Sequence, residues 1–176
     1  GASQPNGGWE AGFRVLTQLF AQRLNAKSKL EVSEAVAGEP LRPGHVLIAP
    51  GDYHMRFAQK PNGPVVTLDQ GPQENYCRPA VDPMFRSIAE MYGANILSVI
   101  MTGMGSDGHR GAEIIIHGGG SLVVQDEATS VIWGMPGAAV GAGLPCDIVP
   151  LPKLADVITS RVNAGRSAVS TSMRLP

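Results

Sequence analysis

Residues Ile96–Gly120 read ILSVIMTGMGSDGHRGAEIIIHGGG. The run Ile96-Leu97-Ser98-Val99-Ile100-Met101 is short, apolar and rich in β-branched residues, the composition of a strand buried on both faces. Thr102-Gly103-Met104-Gly105-Ser106-Asp107-Gly108 is a loop punctuated by glycine. Beyond it Ala112, Ile115 and Ile116 recur at helical spacing until Gly118-Gly119-Gly120 stops the helix. Open α/β sheets place functional groups just beyond the carboxyl end of a strand. Asp107 stands in that turn and is the first candidate functional residue.

Outward from this unit, strand and helix patterns alternate. Upstream, residues 1–12 are rich in glycine and small polar residues and predict a loop. Leu16, Leu19, Phe20, Arg23 and Leu24 predict an amphipathic helix over 13–25. Residues 30–36 and 45–49 predict strands, and 53–58 with 65–68 predict a hairpin around Pro61-Asn62-Gly63. Val81, Met84, Phe85, Ile88 and Tyr92 share one face of a helix over 80–92. Downstream, 121–125 predicts a strand, 136–143 a short helix, 147–149 a last strand and 151–162 a last helix. Residues 163–176 lack periodicity and are expected to form a flexible tail. The expected fold is α/β: a mostly parallel, doubly wound sheet with helices on both faces and a β-hairpin insertion. Residues 1–162 are expected to form one domain.

Composition narrows the function. With 176 residues, 43% hydrophobic and 16% charged, the chain is long enough to bury a core without staples. A net charge of −1 gives no support for a nucleic-acid surface. No apolar run reaches the ~18 residues of a membrane span, and no signal-peptide pattern opens the chain. Cys77 and Cys146 each stand alone, without the spacing of a metal site, and are expected as reduced thiols in a cytoplasmic protein. Neither a metal nor a cofactor is expected.

Two readings compete at the central loop. Gly103 to Gly108 fits GxGxxG between a strand and a helix, and Asp126 or Glu127 follows the next strand, the context of a dinucleotide-binding fingerprint. Against this, Asp107 puts a carboxylate where a phosphate would sit. Asp107 could instead cap the helix or orient a catalytic histidine.

Five segments carry a resemblance. Thr102 to Gly108 resembles the TGMGxDG motif of the chemotaxis protein-glutamate methylesterase family, the CheB-type catalytic domain. Residues 43–55 resemble its PGxxxxAPGxxHM segment, and 78–85 its RPSVDxLF segment. Residues 125–136 resemble QDEATSVVxGMP, and 20–25 resemble FAxRLN. The resemblance covers roughly residues 17–160.

The family implies a serine hydrolase that removes methyl esters from glutamates of chemoreceptor helices and often deamidates receptor glutamines. Its triad aspartate corresponds to Asp107. The methionine of the same motif corresponds to Met104, whose backbone amide, beside that of Gly105, is implied in an oxyanion hole. A buried carboxylate can fix an imidazole tautomer, and a glycine loop can present N–H groups to a developing oxyanion. Arg78 and Glu127 are candidate walls of the ester pocket, though a structural or solvated role competes for both. Met135 is read as core. The implied partners are methylated receptor helices, with a receiver domain or other chemotaxis proteins as regulators. No receiver domain is expected ahead of these residues, and phosphorylation control is expected to come from elsewhere. No nucleic acid and no membrane insertion are expected.

The amino-terminal end departs from the family pattern. The family nucleophile lies in a GAS-T-GG turn after a buried strand, and Gly1-Ala2-Ser3 matches it only locally. A crossover of ~10–12 residues or more does not fit between Ser3 and the first helix. The family's QHMP segment does not occur in these residues, so the triad histidine has no matching position and the first strand–helix–strand unit is expected to be missing or shortened. His54 is expected to be structural or a pocket wall, and His117 to serve at a helix end. His109 could pair with Asp107, although its place at a helix start points it elsewhere. Three accounts follow. In the first the domain is truncated or internally deleted, with Ser3 a chance or residual match. In the second a segment carrying the histidine lies outside this sequence, making Ser3 the nucleophile. In the third catalysis is lost, leaving a module that binds receptor or partner.

Overall fold

The computed structural model describes the backbone of residues 7–172 and the side chains of 15–165. Ser3 lies outside the described residues. The described chain alternates five helices with seven strands. It forms two compact units, one ending at Met91 and one beginning at Tyr92.

In the first unit, α1 (Gly7–Lys27) leads into β1 (Glu31–Glu34) and β2 (His45–Ile48), a parallel pair with Val32 opposite Val46. The hairpin expected around Pro61-Asn62-Gly63 is present as β3 (His54–Lys60) and β4 (Gly63–Asp69), with Phe57 opposite Val66. Ala35, Met55 and Val66 are buried at the centre. Leu41, Leu47, Phe57 and Met84 pack around them, Met84 coming from α2 (Val81–Tyr92).

Helix α1 differs from expectation in extent and in face. The loop predicted over 1–12 is helical from Gly7 onward. Trp9, Glu10 and Ala11 contain no breaker, and a glycine costs a helix only about 1 kcal/mol. The predicted apolar face is largely exposed, with Leu16 62% and Phe20 53% accessible, whereas Ala21 is buried and Thr17 and Leu24 half-buried. Polar anchors set this rotation. Thr17 Oγ1 donates to Glu34 Oε1 at 2.6 Å and accepts the Gly51 N–H at 3.1 Å. Asn25 Oδ1 accepts the Val32 N–H at 2.8 Å.

The second unit is built on three parallel strands in the order β5 (Leu97–Ile100), β6 (Ser121–Gln125), β7 (Asp147–Val149). Helix α3 (His109–His117) joins the first two, α4 (Met135–Gly141) joins the next two, and α5 (Leu151–Ser172) follows. Val123 and Val149 pack with Leu97, Val99 and the α5 residues Leu154 and Val157. Ile100, Leu122 and Val124 alternate onto the other face of the strands and are buried as well. Both faces of this sheet are therefore apolar, as parallel strands require. On α3 the predicted face is correct: Ala112 and Ile115 are fully buried and Ile116 half-buried.

Helix α3 ends in a Schellman arrangement. Gly119 sits at φ 87°, its N–H bonds the Ile116 carbonyl, and the Gly120 N–H bonds that of Ile115. Any β-carbon on Gly120 would stand 2.5 Å from Ile115 Cγ2. Glycine is thus required where the chain turns back into β6. Helix α5 continues past residue 163, where a tail is expected, and runs to Ser172. Asn163, Ala164 and Gly165 lack an apolar face but contain no proline to stop a helix.

Candidate functional site

Strand β5 ends at Ile100, and residues 102–108 form the loop between it and α3. Met104 is 82% exposed, Gly105 adopts φ 85°, and Asp107 is only 7% exposed. Gly108, at φ 92°, occupies the N-cap position of α3. The chain thus displays the Met104–Ser106 stretch to solvent and draws the Asp107 carboxylate inward at the carboxyl end of a parallel strand. His109 does not turn toward a neighbouring carboxylate. Its Nδ1–H donates to the Ser106 carbonyl at 2.6 Å, which closes the loop on itself.

The segment after β6 holds this loop in place. Gln125, fully buried at the end of β6, accepts the Thr102 N–H on Oε1 at 3.0 Å and donates from Nε2 to the Thr129 carbonyl at 2.7 Å. Thr102 Oγ1 donates to the Ile132 carbonyl and accepts the Ile132 N–H, each at 3.0 Å. The Gly103 N–H bonds the Ile132 carbonyl, and the Gly103 carbonyl accepts the N–H groups of Gly134 and Met135. Asp126 holds the turn by accepting from the Thr129 N–H at 3.1 Å and from the Thr129 hydroxyl. Two sequence segments that read as separate motifs are therefore joined in one hydrogen-bonded assembly.

Thr102, Gln125 and Gly134 stand in the quoted motifs, but sequence alone gives them no role. The available signal for Gln125 is a polar residue closing a strand whose three preceding residues are aliphatic. Its neighbour Glu127, a candidate pocket residue, is exposed.

In the first unit Arg78 is committed to its surroundings. Its Nε donates to Asp52 Oδ1 at 2.9 Å, and Nη2 contacts the same oxygen. Its Nη1 donates to the carbonyls of Gln70 and Gly71 at 3.1 and 2.9 Å. This side chain ties the loop after β4 to the turn at Asp52.

His54 is fully buried. Its Nε2–H donates to the Pro72 carbonyl at 2.9 Å and its Nδ1 accepts the Ala80 N–H at 3.2 Å. His45 engages Ser33 Oγ at 2.8 Å through Nε2 and Arg42 Nη2 at 3.4 Å through Nδ1. Both rings have each nitrogen bonded to groups of the first unit. Beside them, Arg56 bonds Asp69 and Arg86 bonds Glu74, at 2.7 and 2.6 Å. Burial pushes Asp69 upward, but the Gly71 N–H and the Arg56 guanidinium outweigh it and hold the carboxyl below its ordinary value. The Arg86 hydrogen bond, partly opposed by burial, does the same for Glu74. Among the described residues no group of three or more His, Cys, Asp or Glu side chains could hold a metal ion. No described helix is long and apolar enough to cross a membrane.

The molecule is an α/β protein whose candidate site is a strand–glycine loop–helix turn carrying a buried aspartate. The sequence profile of the CheB methylesterase family matches residues 13–158. The chain is 48% identical over 149 residues to protein-glutamate methylesterase/protein-glutamine glutaminase 2 of Caulobacter vibrioides, covering 84% of this chain and 43% of that protein. It is 49% identical over 141 residues to protein-glutamate methylesterase/protein-glutamine glutaminase 1 of Paramagnetospirillum magneticum, covering 80% and 37%. The crystal structure of the Thermotoga maritima CheB methylesterase catalytic domain superposes with a TM-score of 0.81 at 36% identity, covering 84% of this chain and 78% of that one. The chain belongs to the CheB methylesterase family. It spans about two fifths of the length of these curated relatives.

Proposed function

We propose that this chain carries the ester-hydrolysing machinery of a protein-glutamate methylesterase, acting on glutamate methyl esters of chemoreceptor helices in the cytoplasm. The relatives' names also support glutamine deamidation, since ester and amide share the same acyl-transfer chemistry. The observation that carries the reading is the inward Asp107 beside the outward Met104–Gly105 backbone, on a loop pinned by Gln125 and Thr102.

In this reading the Ser3 hydroxyl attacks the ester carbonyl and a histidine takes its proton. The N–H groups of Met104 and Gly105 receive the developing oxyanion. Methanol leaves with that proton, and water then releases the glutamate. Asp107 holds the imidazole in the tautomer that can accept the serine proton and stabilises the imidazolium. The histidine itself is unassigned. A receiver domain or another chemotaxis protein would regulate access.

A second reading has one specific observation in its favour. His45 and His54 have both ring nitrogens occupied, and His109 gives Nδ1 to a carbonyl rather than a carboxylate. A domain without a triad histidine would bind methylated receptor or a partner without turning over. Methanol release from a methyl-esterified receptor fragment, measured beside binding to that fragment, separates the two. Release supports the esterase, whereas binding without methanol or ammonia supports the binding module.

A further inference from the structure

We propose that Gln125 is the positioning residue of this site: its carboxamide sets the path of the Thr102–Asp107 loop and hence the placement of the Met104 amide and the Asp107 carboxylate. The inference rests on the esterase reading for its catalytic consequence, but not for its structural one.

The argument starts from what a carboxamide offers. It presents one acceptor and one donor group in fixed, opposed directions. Gln125 uses both. Oε1 receives the N–H of Thr102, the residue that opens the loop, at 3.0 Å. Nε2 gives to the Thr129 carbonyl at 2.7 Å and lies 3.3 Å from Thr129 Oγ1. The Gln125 carbonyl accepts the Trp133 indole N–H at 3.3 Å. The two segments bridged in this way then meet again, through Thr102 with Ile132 and through Gly103 with Gly134 and Met135.

The residue sits in the least forgiving place for such a group. Gln125 is 0% exposed at the end of a strand whose three preceding residues are buried aliphatics. A buried polar group left without a partner costs about 1–3 kcal/mol, so neither end of the carboxamide can be released cheaply. Strand pairing fixes its backbone against Val149 on β7. Because Gln125 is held by the sheet, its two bonds transmit the sheet's rigidity to the loop.

Substitution by glutamate tests the donor end alone. A carboxylate at 125 could still accept the Thr102 N–H, but it would confront the Thr129 carbonyl with a second acceptor. A protonated carboxyl would restore the donor. Across the sheet the residue opposite is the apolar Val149, and the adjacent carboxylate, Asp126, is bonded to Thr129. An apolar neighbour and a nearby negative charge both disfavour ionisation of a glutamate there.

The experiment compares the parent, Gln125→Glu and Gln125→Leu by amide hydrogen exchange of residues 102–107 and by methanol release, from pH 5 to pH 8. Leu154→Ala, in the α5 core, controls for general loss of stability. The expected result is faster exchange of these loop amides in Gln125→Leu at every pH. In Gln125→Glu exchange should be fast at pH 8 and approach the parent as the pH falls. Methanol turnover should drop roughly 100-fold with little change in KM, the consequence of a misplaced catalytic group. Loop exchange matching the parent in both variants at all pH values would overturn the proposal and leave Gln125 a core residue. If the parent releases no methanol, the esterase reading fails, while the exchange data still decide whether Gln125 positions the loop.

Discussion

Gly134 lies directly against Gly103: a β-carbon on Gly134 would stand 2.6 Å from the Gly103 carbonyl oxygen and 2.8 Å from the Gly105 nitrogen. Gly134 has φ −78°, which any residue adopts, so the requirement for glycine is steric. Gly134→Ala must push back the backbone that presents Met104. Overpacking of this kind costs about 1–3 kcal/mol, and a displaced loop lowers turnover by roughly 100-fold. A β-carbon on Gly103 meets instead the Met135 thioether, 2.5 Å away, and that flexible chain can swing aside. Methanol release should therefore fall much further in Gly134→Ala than in Gly103→Ala. Equal losses would show that the contact with Gly134 does not govern the loop.

His54 should matter to folding and not to proton transfer. Replacing it with leucine leaves the Pro72 carbonyl and the Ala80 N–H without the ring that now bonds both. The expected loss is about 1–3 kcal/mol per buried group left unsatisfied, read by denaturant unfolding. The variant, assayed where it remains folded, should keep the pH profile of methanol release. Loss of one limb of that profile would instead assign His54 a role in the chemistry.

The paired carboxylates of the first unit give stability that depends on pH. The Arg86 hydrogen bond, with Arg56 adding at 3.9 Å, keeps the folded-state value of Glu74 below its ordinary 4.5. A depressed carboxylate contributes its stability above the ordinary value and loses it as the pH falls through the lowered one. Arg86→Met should cost at most about 1 kcal/mol at neutral pH, since the pair is half-exposed and screened. The difference from the parent should fade below pH 4.5 and in high salt. A gap that persists in acid would point to lost packing of the arginine stem.

The dinucleotide reading of Gly103–Gly108 makes a separate claim. The loop has the strand before it and the helix after it, but the buried Asp107 carboxylate lies where the pyrophosphate would sit. NAD at millimolar concentration is expected to leave the melting temperature unchanged. A concentration-dependent rise would revive that reading.

Much of this was legible in the sequence, for physical reasons that can be named. The β5–loop–α3 unit announced itself because a buried parallel strand, a glycine loop and a helix face each have their own periodicity. The hairpin was legible because Pro61-Asn62-Gly63 is turn chemistry. Helix α1 misled, since Leu16, Leu19 and Phe20 are apolar while the hydroxyl of Thr17 and the amide of Asn25 choose which side packs inward. Gln125 was hidden for a related reason. Its importance lies in bonds to Thr102 and Thr129, one of them 23 residues away, and no local pattern encodes such a bridge. The Ser3 expectation lies outside the described residues.

The most direct test of the central claim is methanol release from a methyl-esterified receptor fragment by the parent and by Asp107→Asn. Unfolding of both is measured in parallel. If Asp107 orients the catalytic imidazole, the amide should present the wrong tautomer and lower turnover by about 10,000-fold. The fold and the affinity for the fragment should be retained. Turnover in Asp107→Asn equal to that of the parent would contradict the assignment and leave Asp107 a structural carboxylate at the start of α3.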